Sequence, residues 1–330
     1  MLDRNNKFKL KILSKFILLI FFISTKAYTQ CCSTGSPVCA SAHFGVLEKN
    51  TLRLNASFRH SYLEKFYRGT SIDKTPNHAP LLNTFYNLTN INVGYGLLKK
   101  LTTEIDVGYY INKTQNWKVM DLPEFRKRGY GFSSTSISLK YLIFKSDSSK
   151  FEITIGSGGK IPFSSKPLYD ENNTQLPKEI QPSTGAFGLI EQLLISKEVT
   201  SKIKILSYNR FEWNSENPYK YKSGRFFLNA LIVSYKLNEL FSGAVEVRNE
   251  IKTSDYNYDE FYSYNGTKQQ INTGSQLVVI SPKIIYTLSK KWKISTLIDI
   301  PIYKNYKGSQ ITNKFSIAFG LTRDLKLFNK

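Results

Sequence analysis

Ser201-Lys-Ile-Lys-Ile-Leu-Ser-Tyr-Asn-Arg-Phe-Glu-Trp213 decides the fold. Ile203, Ile205, Phe211 and Trp213 fall on odd positions, whereas Lys202, Lys204, Arg210 and Glu212 fall on even ones. Strand side chains alternate between faces, so this segment has one apolar face and one charged face. Lys291–Tyr303 repeats the pattern in the opposite parity. Trp292, Ile294, Ile298, Ile300 and Ile302 share one face, and Lys293, Ser295 and Asp299 share the other. The same alternation runs from Thr51 to Leu321. Charged faces on strand after strand need water, and apolar faces this long need a large apolar partner. Lipid is that partner.

Working outward, the alternation predicts about twelve strands: 51–63, 84–97, 100–112, 131–144, 150–161, 183–196, 200–213, 224–237, 239–252, 272–288, 291–303 and 313–322. In 224–237 both parities are apolar, which leaves its facing open. The gaps are alternately short (98–99, 145–149, 197–199, 238, 289–290) and long (64–83, 113–130, 162–182, 214–223, 253–271, 304–312). Short turns at one end and long loops at the other mark outer-membrane barrels, with the short turns in the periplasm. A strand of ~12 residues rises ~40 Å, or ~30 Å of height when tilted near ~40°. Soluble sandwiches use strands nearer ~5–6 residues. The expected fold is therefore all-β: a transmembrane antiparallel up-and-down barrel of about 12 strands over 51–330, with both termini periplasmic.

The N-terminus carries an export address. Arg4, Lys7, Lys9, Lys11 and Lys15 precede the apolar run Phe16–Ile23, and the small-residue region Ser24–Ala27 follows. Basic, apolar and small residues in that order form a secretory signal peptide, assigned to 1–27. The run is too short for a spanning helix, which needs ~20 apolar residues. Residues 28–50 are then a cysteine-containing periplasmic segment or small plug. The chain carries 46 Lys+Arg against 25 Asp+Glu, a net +21. On an exported barrel this excess fits basic turns and a basic lumen. No compact basic helix or nucleic-acid motif is present, so nucleic acid is not an expected partner. The expected partners are outer-membrane lipid, a small-molecule solute and, during insertion, the barrel assembly machinery.

Three short motifs carry a resemblance. They are Gly156-Ser-Gly-Gly-Lys160-Ile-Pro162, Gln181-Pro-Ser-Thr-Gly185, and Asp299-Ile-Pro-Ile-Tyr303 followed by Gly308-Ser-Gln310. Together they resemble the outer-membrane transporter family associated with meta-pathway phenol degradation, as a Bacteroidetes-type outer-membrane barrel. The chain departs from the family pattern at Phe163-Ser-Ser165, Ser183 and Ile311. The resemblance implies an uptake-type barrel and names no solute.

All three cysteines, Cys31, Cys32 and Cys39, lie just after the leader. In an oxidising periplasm one disulfide from Cys39 to Cys31 or Cys32 is expected. Lipidation of Cys31 or Cys32 is an alternative. A soft-metal site of Cys31, Cys32, Cys39 and His43 is another. Histidine is otherwise limited to His60, read as an interfacial aromatic on the lipid face, and His78 in a long loop. No His–Ser arrangement supports nucleophilic catalysis, so the chain is read as no enzyme, with no cofactor. Gly156–Lys160 is not a phosphate loop, because Ile161 stands where a Ser or Thr is required. The loop Asp255–Tyr262 is acidic and Tyr-rich, suited to Ca²⁺, a sugar or plain solvation.

The remaining functional surface is the lumen. Inward parity holds Arg53, Arg59, Glu104, Asp106, Lys140, Lys202, Lys204, Arg210, Glu246, Arg248 and Asp299, together with Glu152, Lys160, Glu212, Glu250 and Lys314. Such walls select solutes by charge or brace the interior. The expected function is a channel for passive passage of a small solute through a polar, net basic lumen. The alternatives are a non-transporting surface barrel whose loops bind a partner, or a barrel with a metal-handling thiol segment.

Overall fold

In the computed structural model, residues 45–75, 81–118, 123–164, 166–258, 268–289 and 292–327 are described. The leader, Cys31, Cys32, Cys39, His43 and His78 lie outside them. The strands are β1 (Thr51–Gly69), β2 (Ser71–Ile72), β3 (Leu81–Leu98), β4 (Leu101–Trp117), β5 (Phe125–Phe132), β6 (Thr135–Ser146), β7 (Phe151–Ile161), β8 (Gly188–Glu198), β9 (Ile203–Asn214), β10 (Tyr221–Lys222), β11 (Phe226–Lys236), β12 (Phe241–Lys252), β13 (Tyr256–Asn257), β14 (Ser275–Thr287) and β15 (Trp292–Lys326). Antiparallel pairing runs β1-β3-β4-β6-β7-β8-β9-β11-β12-β14-β15, and β15 returns to β1 to close the ring. β2 and β5 attach to β1 and β4, while β10 and β13 form a separate small sheet.

Eleven elements thus make the wall, close to the expected twelve. The difference lies in β15. Its first arm pairs with β14 up to Tyr306, and its second pairs with β1 from Tyr306 onward. Lys304 Nζ is 3.2 Å from Thr312 Oγ1, and Arg323 sits 4.7 Å from the centre of the Trp292 ring. Along a straight strand that last pair would stand ~100 Å apart. The element therefore folds back on itself near Gly308, whose φ of 75° suits a glycine.

Several strands run further than their alternation predicts, because bulges shift the parity and disguise the continuation. β1 extends to Gly69 through register shifts at Tyr62/Leu63 and Glu64/Phe66. The first of these corrects the placement of Lys314. It is the extra residue of the bulge, 54% exposed, 2.9 Å from Glu64 and over the Tyr62 ring, and it does not line the interior. The 131–144 strand is also two pieces, β5 and β6, both paired with β4. In β11 the facing is settled. Phe226, Leu228 and Ala230 are buried, whereas Leu231 and Val233 are 46% and 41% exposed.

Ion pairs identify the concave face. Arg59 of β1 reaches Asp299 past the second arm of β15, Arg248 of β12 reaches Asp299 past β14, and Lys160 of β7 reaches Glu212 past β8. Side chains converge across an intervening strand only on the inside of a curved wall. The opposite face is apolar around the ring, with Ile91 56%, Leu139 50%, Val245 45%, Ile284 59% and Phe319 54% exposed. A band of that extent far exceeds the ~300–600 Å² patches of soluble monomers. His60 lies on this face, its Nδ1 2.7 Å from Asn87 Oδ1 and its ring 6.3 Å from Phe85, as an interfacial aromatic should.

The chain just before β1 runs inside the ring, at the end that carries the short turns. Leu47 is buried, and its N–H donates to Thr102 Oγ1 at 2.8 Å. Gly96 makes room for it, since a Cβ there would stand 2.0 Å from the Glu48 carbonyl oxygen.

Candidate functional site

The interior is built from the alternating polar positions of the strands, so the site is read along the barrel axis. At mid-height Asp299 anchors a buried cluster. Its Oδ2 accepts from Arg59 Nη1 at 2.6 Å and its Oδ1 from Arg248 Nη1 at 2.9 Å. Arg248 also donates to Ser281 Oγ at 2.7 Å, to Glu250 at 2.5 Å and to Glu246 at 3.3 Å. Asp299 is 0% exposed, Arg248 3% and Arg59 5%. Such charges persist only when paired, and each here has its counter-ion.

The other expected residues, Lys314 apart, are also placed inside. Glu104 and Lys140 pair at 2.8 Å. Asp106 accepts from Asn90 at 3.3 Å and Asn92 at 3.2 Å. Arg210 and Lys160 share Glu212 at 2.7 and 3.1 Å. Arg53 grips Asp324 through Nε and Nη2 at 2.6 and 2.7 Å near the turn end. Glu152 meets Lys145 at 3.1 Å at the same end. Lys202 and Lys204 line a separate cavity, described next. Alternation found these positions but not their partners Asp324 and Ser281. It also missed an apolar inner wall of Ile190, Leu194, Tyr208 and Leu228, all buried. Its signal was present in β8 and β11, where both parities are apolar.

Two cavities flank this packed middle. The one at the loop end has a volume of about 690 Å³ and combines Phe66, Tyr86, Tyr110 and Trp117 with Lys113 and Lys178. Lys113 Nζ lies 4.7 Å from the Tyr110 ring centre and 5.0 Å from that of Tyr86, and Lys178 Nζ lies 3.6 Å from that of Tyr221. The one at the turn end holds about 340 Å³ and brings together Lys202, Lys204, Lys236, Lys283 and Lys293 with Glu198 and Glu246.

The loop between β7 and β8 forms the lid of the upper cavity. Its brace is Gln181, whose Oε1 accepts from Leu168 N at 2.8 Å. Its Nε2 donates to Leu168 O and Leu176 O at 3.1 and 2.9 Å, and its carbonyl accepts from Lys113 Nζ at 2.8 Å. Ile180 packs fully buried against Gly129, where a Cβ would stand 1.9 Å from its carbonyl oxygen. Asp255 is also structural. It accepts from Tyr221 Oη at 2.5 Å and Gly224 N at 2.7 Å, and pairs with Lys252 at 3.0 Å. Among the described residues no group of three His, Cys, Asp or Glu is placed to hold a metal ion.

No protein-family model matches this chain, and no curated protein matches its sequence. The fold is similar to that of an outer membrane channel from Pseudomonas putida F1, with a TM-score of 0.64 at 9% identity, covering 86% of this chain and 99% of that one. The transport unit of the autotransporter AIDA-I from Escherichia coli gives a TM-score of 0.48 at 10% identity over 83% and 90% of the two chains. The KdgM porin gives 0.45 at 9% identity over 82% and 98%. The first likeness establishes the architecture: a closed antiparallel barrel of the kind used by outer-membrane channels.

Proposed function

We propose that this chain is a bacterial outer-membrane channel for passive uptake of a small solute. The observation that carries the proposal is a closed barrel, apolar around its outside, with a cavity at each end of its interior. Export through the 1–27 leader and insertion by the barrel assembly machinery place the short turns and both termini in the periplasm. The solute enters the aromatic cavity among the long loops and leaves through the lysine-lined one. The Asp299 cluster lies between them, so passage requires its side chains to rearrange.

The three family-like motifs support an uptake role through their positions. Lys160 is the penultimate residue of β7, Gln181 braces the lid, and Gln310 Nε2 ties the β15 turn to Gly274 O at 3.0 Å. The net basic character of the lower cavity fits this reading, because Arg53 and Arg59 are matched by Asp324 and Asp299, Arg210 by Glu212 on its own strand, and Arg248 by Glu250 on its own strand and by Asp299. Lys202 and Lys204 then supply a weak preference for anions. In the segment 28–50 we propose one disulfide, from Cys39 to Cys31 or Cys32.

Liposome swelling and single-channel recording of the purified protein test the proposal. Graded uptake of small solutes and a finite conductance are expected. Complete impermeability, persisting after deletion of residues 1–50, would refute transport and favour a surface barrel acting through its loops.

A further inference from the structure

The outward face of β5 carries a column of side chains that hydrocarbon does not explain. Directly paired residues of antiparallel strands share a face, and Tyr62, Phe85, Thr114 and Arg128 form one such row. Tyr62 and Phe85 belong to the outer aromatic set beside His60, so Arg128 also points outward, and with it Arg126, Tyr130 and Phe132. Lys127, between the arginines, points inward and lies 3.7 Å from Asp170. Tyr130 and Phe132 are 56% and 43% exposed, and with Phe163 they also border the loop-end cavity. Phe132 stacks on Phe163 at 4.2 Å and meets Tyr109 edge-on at 5.0 Å.

That ring cluster marks the outer edge of the apolar band, where aromatic girdles sit. With ~3.4 Å per residue and a tilt near ~40°, each two-residue step climbs ~5 Å. Arg128 and Arg126 thus stand ~10 and ~15 Å above Phe132, at the depth of lipid headgroups. Arg128 Nη2 donates to Ile111 O at 3.1 Å, which fixes the guanidinium against the wall with its other donors outward. Beside Arg126, Asn116 donates to Asn83 Oδ1 at 2.6 Å, so the border is polar there too. Glu124 is the nearest acid in sequence among the described residues.

We propose that Arg126 and Arg128, above the Tyr109–Phe132–Phe163 rings, bind the phosphorylated sugar headgroup of an anionic outer-leaflet glycolipid. Guanidinium groups match phosphate in charge and fork geometry, and the rings receive the adjoining acyl chains. The site rests on the outer-membrane placement proposed above.

The test is native mass spectrometry of the full-length protein with diphosphorylated lipid A and with its dephosphorylated form. Wild type should favour the phosphorylated lipid roughly tenfold. Arg126→Gln/Arg128→Gln should abolish that preference, and Arg225→Gln, an exposed cation elsewhere on the rim, should retain it. Equal binding of both lipids by wild type, an unchanged preference in the double variant or an equal loss in Arg225→Gln would overturn the site. Displacement by millimolar inorganic phosphate would overturn the lipid assignment in favour of a free-anion site. Vesicle flotation separates the two proposals: protein that does not insert refutes the placement, whereas inserted protein without phosphate preference refutes the site alone.

Discussion

Replacing Asp299 by Asn removes one charge and almost no volume from the most buried ionic cluster of the barrel. Two guanidinium groups, 2.6 and 2.9 Å from its carboxylate, then lose their shared counter-ion in a region closed to water. Removing one partner of a buried pair costs ~3–5 kcal/mol, most of it from the charge left behind. Arg248 keeps Glu246 and Glu250, so the expected loss lies at the lower end, ~3 kcal/mol. Guanidinium unfolding of the protein in phospholipid vesicles, followed by tryptophan fluorescence, should show a lower midpoint at unchanged slope. The double variant Arg59→Gln/Asp299→Asn should be more stable than the sum of its single variants allows, by ~1 kcal/mol or more. The loosened cluster should also raise single-channel conductance. If Asp299→Asn lies within ~0.5 kcal/mol of wild type and the cycle is additive, ion pairing does not hold the interior closed.

Four further outcomes follow from the geometry. Lys202→Gln/Lys204→Gln should shift the reversal potential under a salt gradient toward cations by more than Arg210→Gln does, since Glu212 already offsets Arg210; equal shifts would discount the lower cavity as the selective element. Gly96→Ala should drive Leu47 and Glu48 off the inner wall and expose the Lys49 bond to trypsin in detergent, and unchanged cleavage would contradict the packing. Gln181→Ala removes three bracing side-chain hydrogen bonds and keeps the carbonyl that accepts from Lys113, so limited proteolysis should open the loop at Lys166 or Lys178 well before the barrel unfolds. Mass spectrometry after alkylation without reduction should find one free thiol per mature chain; three would exclude the disulfide, and a diacylglycerol adduct on Cys31 or Cys32 would indicate a lipoprotein.

Strand alternation settled the class of this protein because it is a one-dimensional property. A period of two, repeated along 201–213 and 291–303, dictates which side chains share a face, and the apolar faces dictate a large apolar surround. The inward positions of Arg59, Glu104, Lys140, Arg248 and Asp299 were legible for the same reason. The tertiary structure decided what parity does not encode. Bulges at Tyr62/Leu63 turned Lys314 outward, since one extra residue reverses every facing after it. The hairpin within β15 depends on one glycine dihedral at Gly308. Ion pairs form across the barrel curvature, so Asp299 finds Arg59 and Arg248 on strands that are distant in sequence. The mixed charges expected along the lumen therefore meet as ion pairs at mid-height, because only the closed ring brings them within reach of one another.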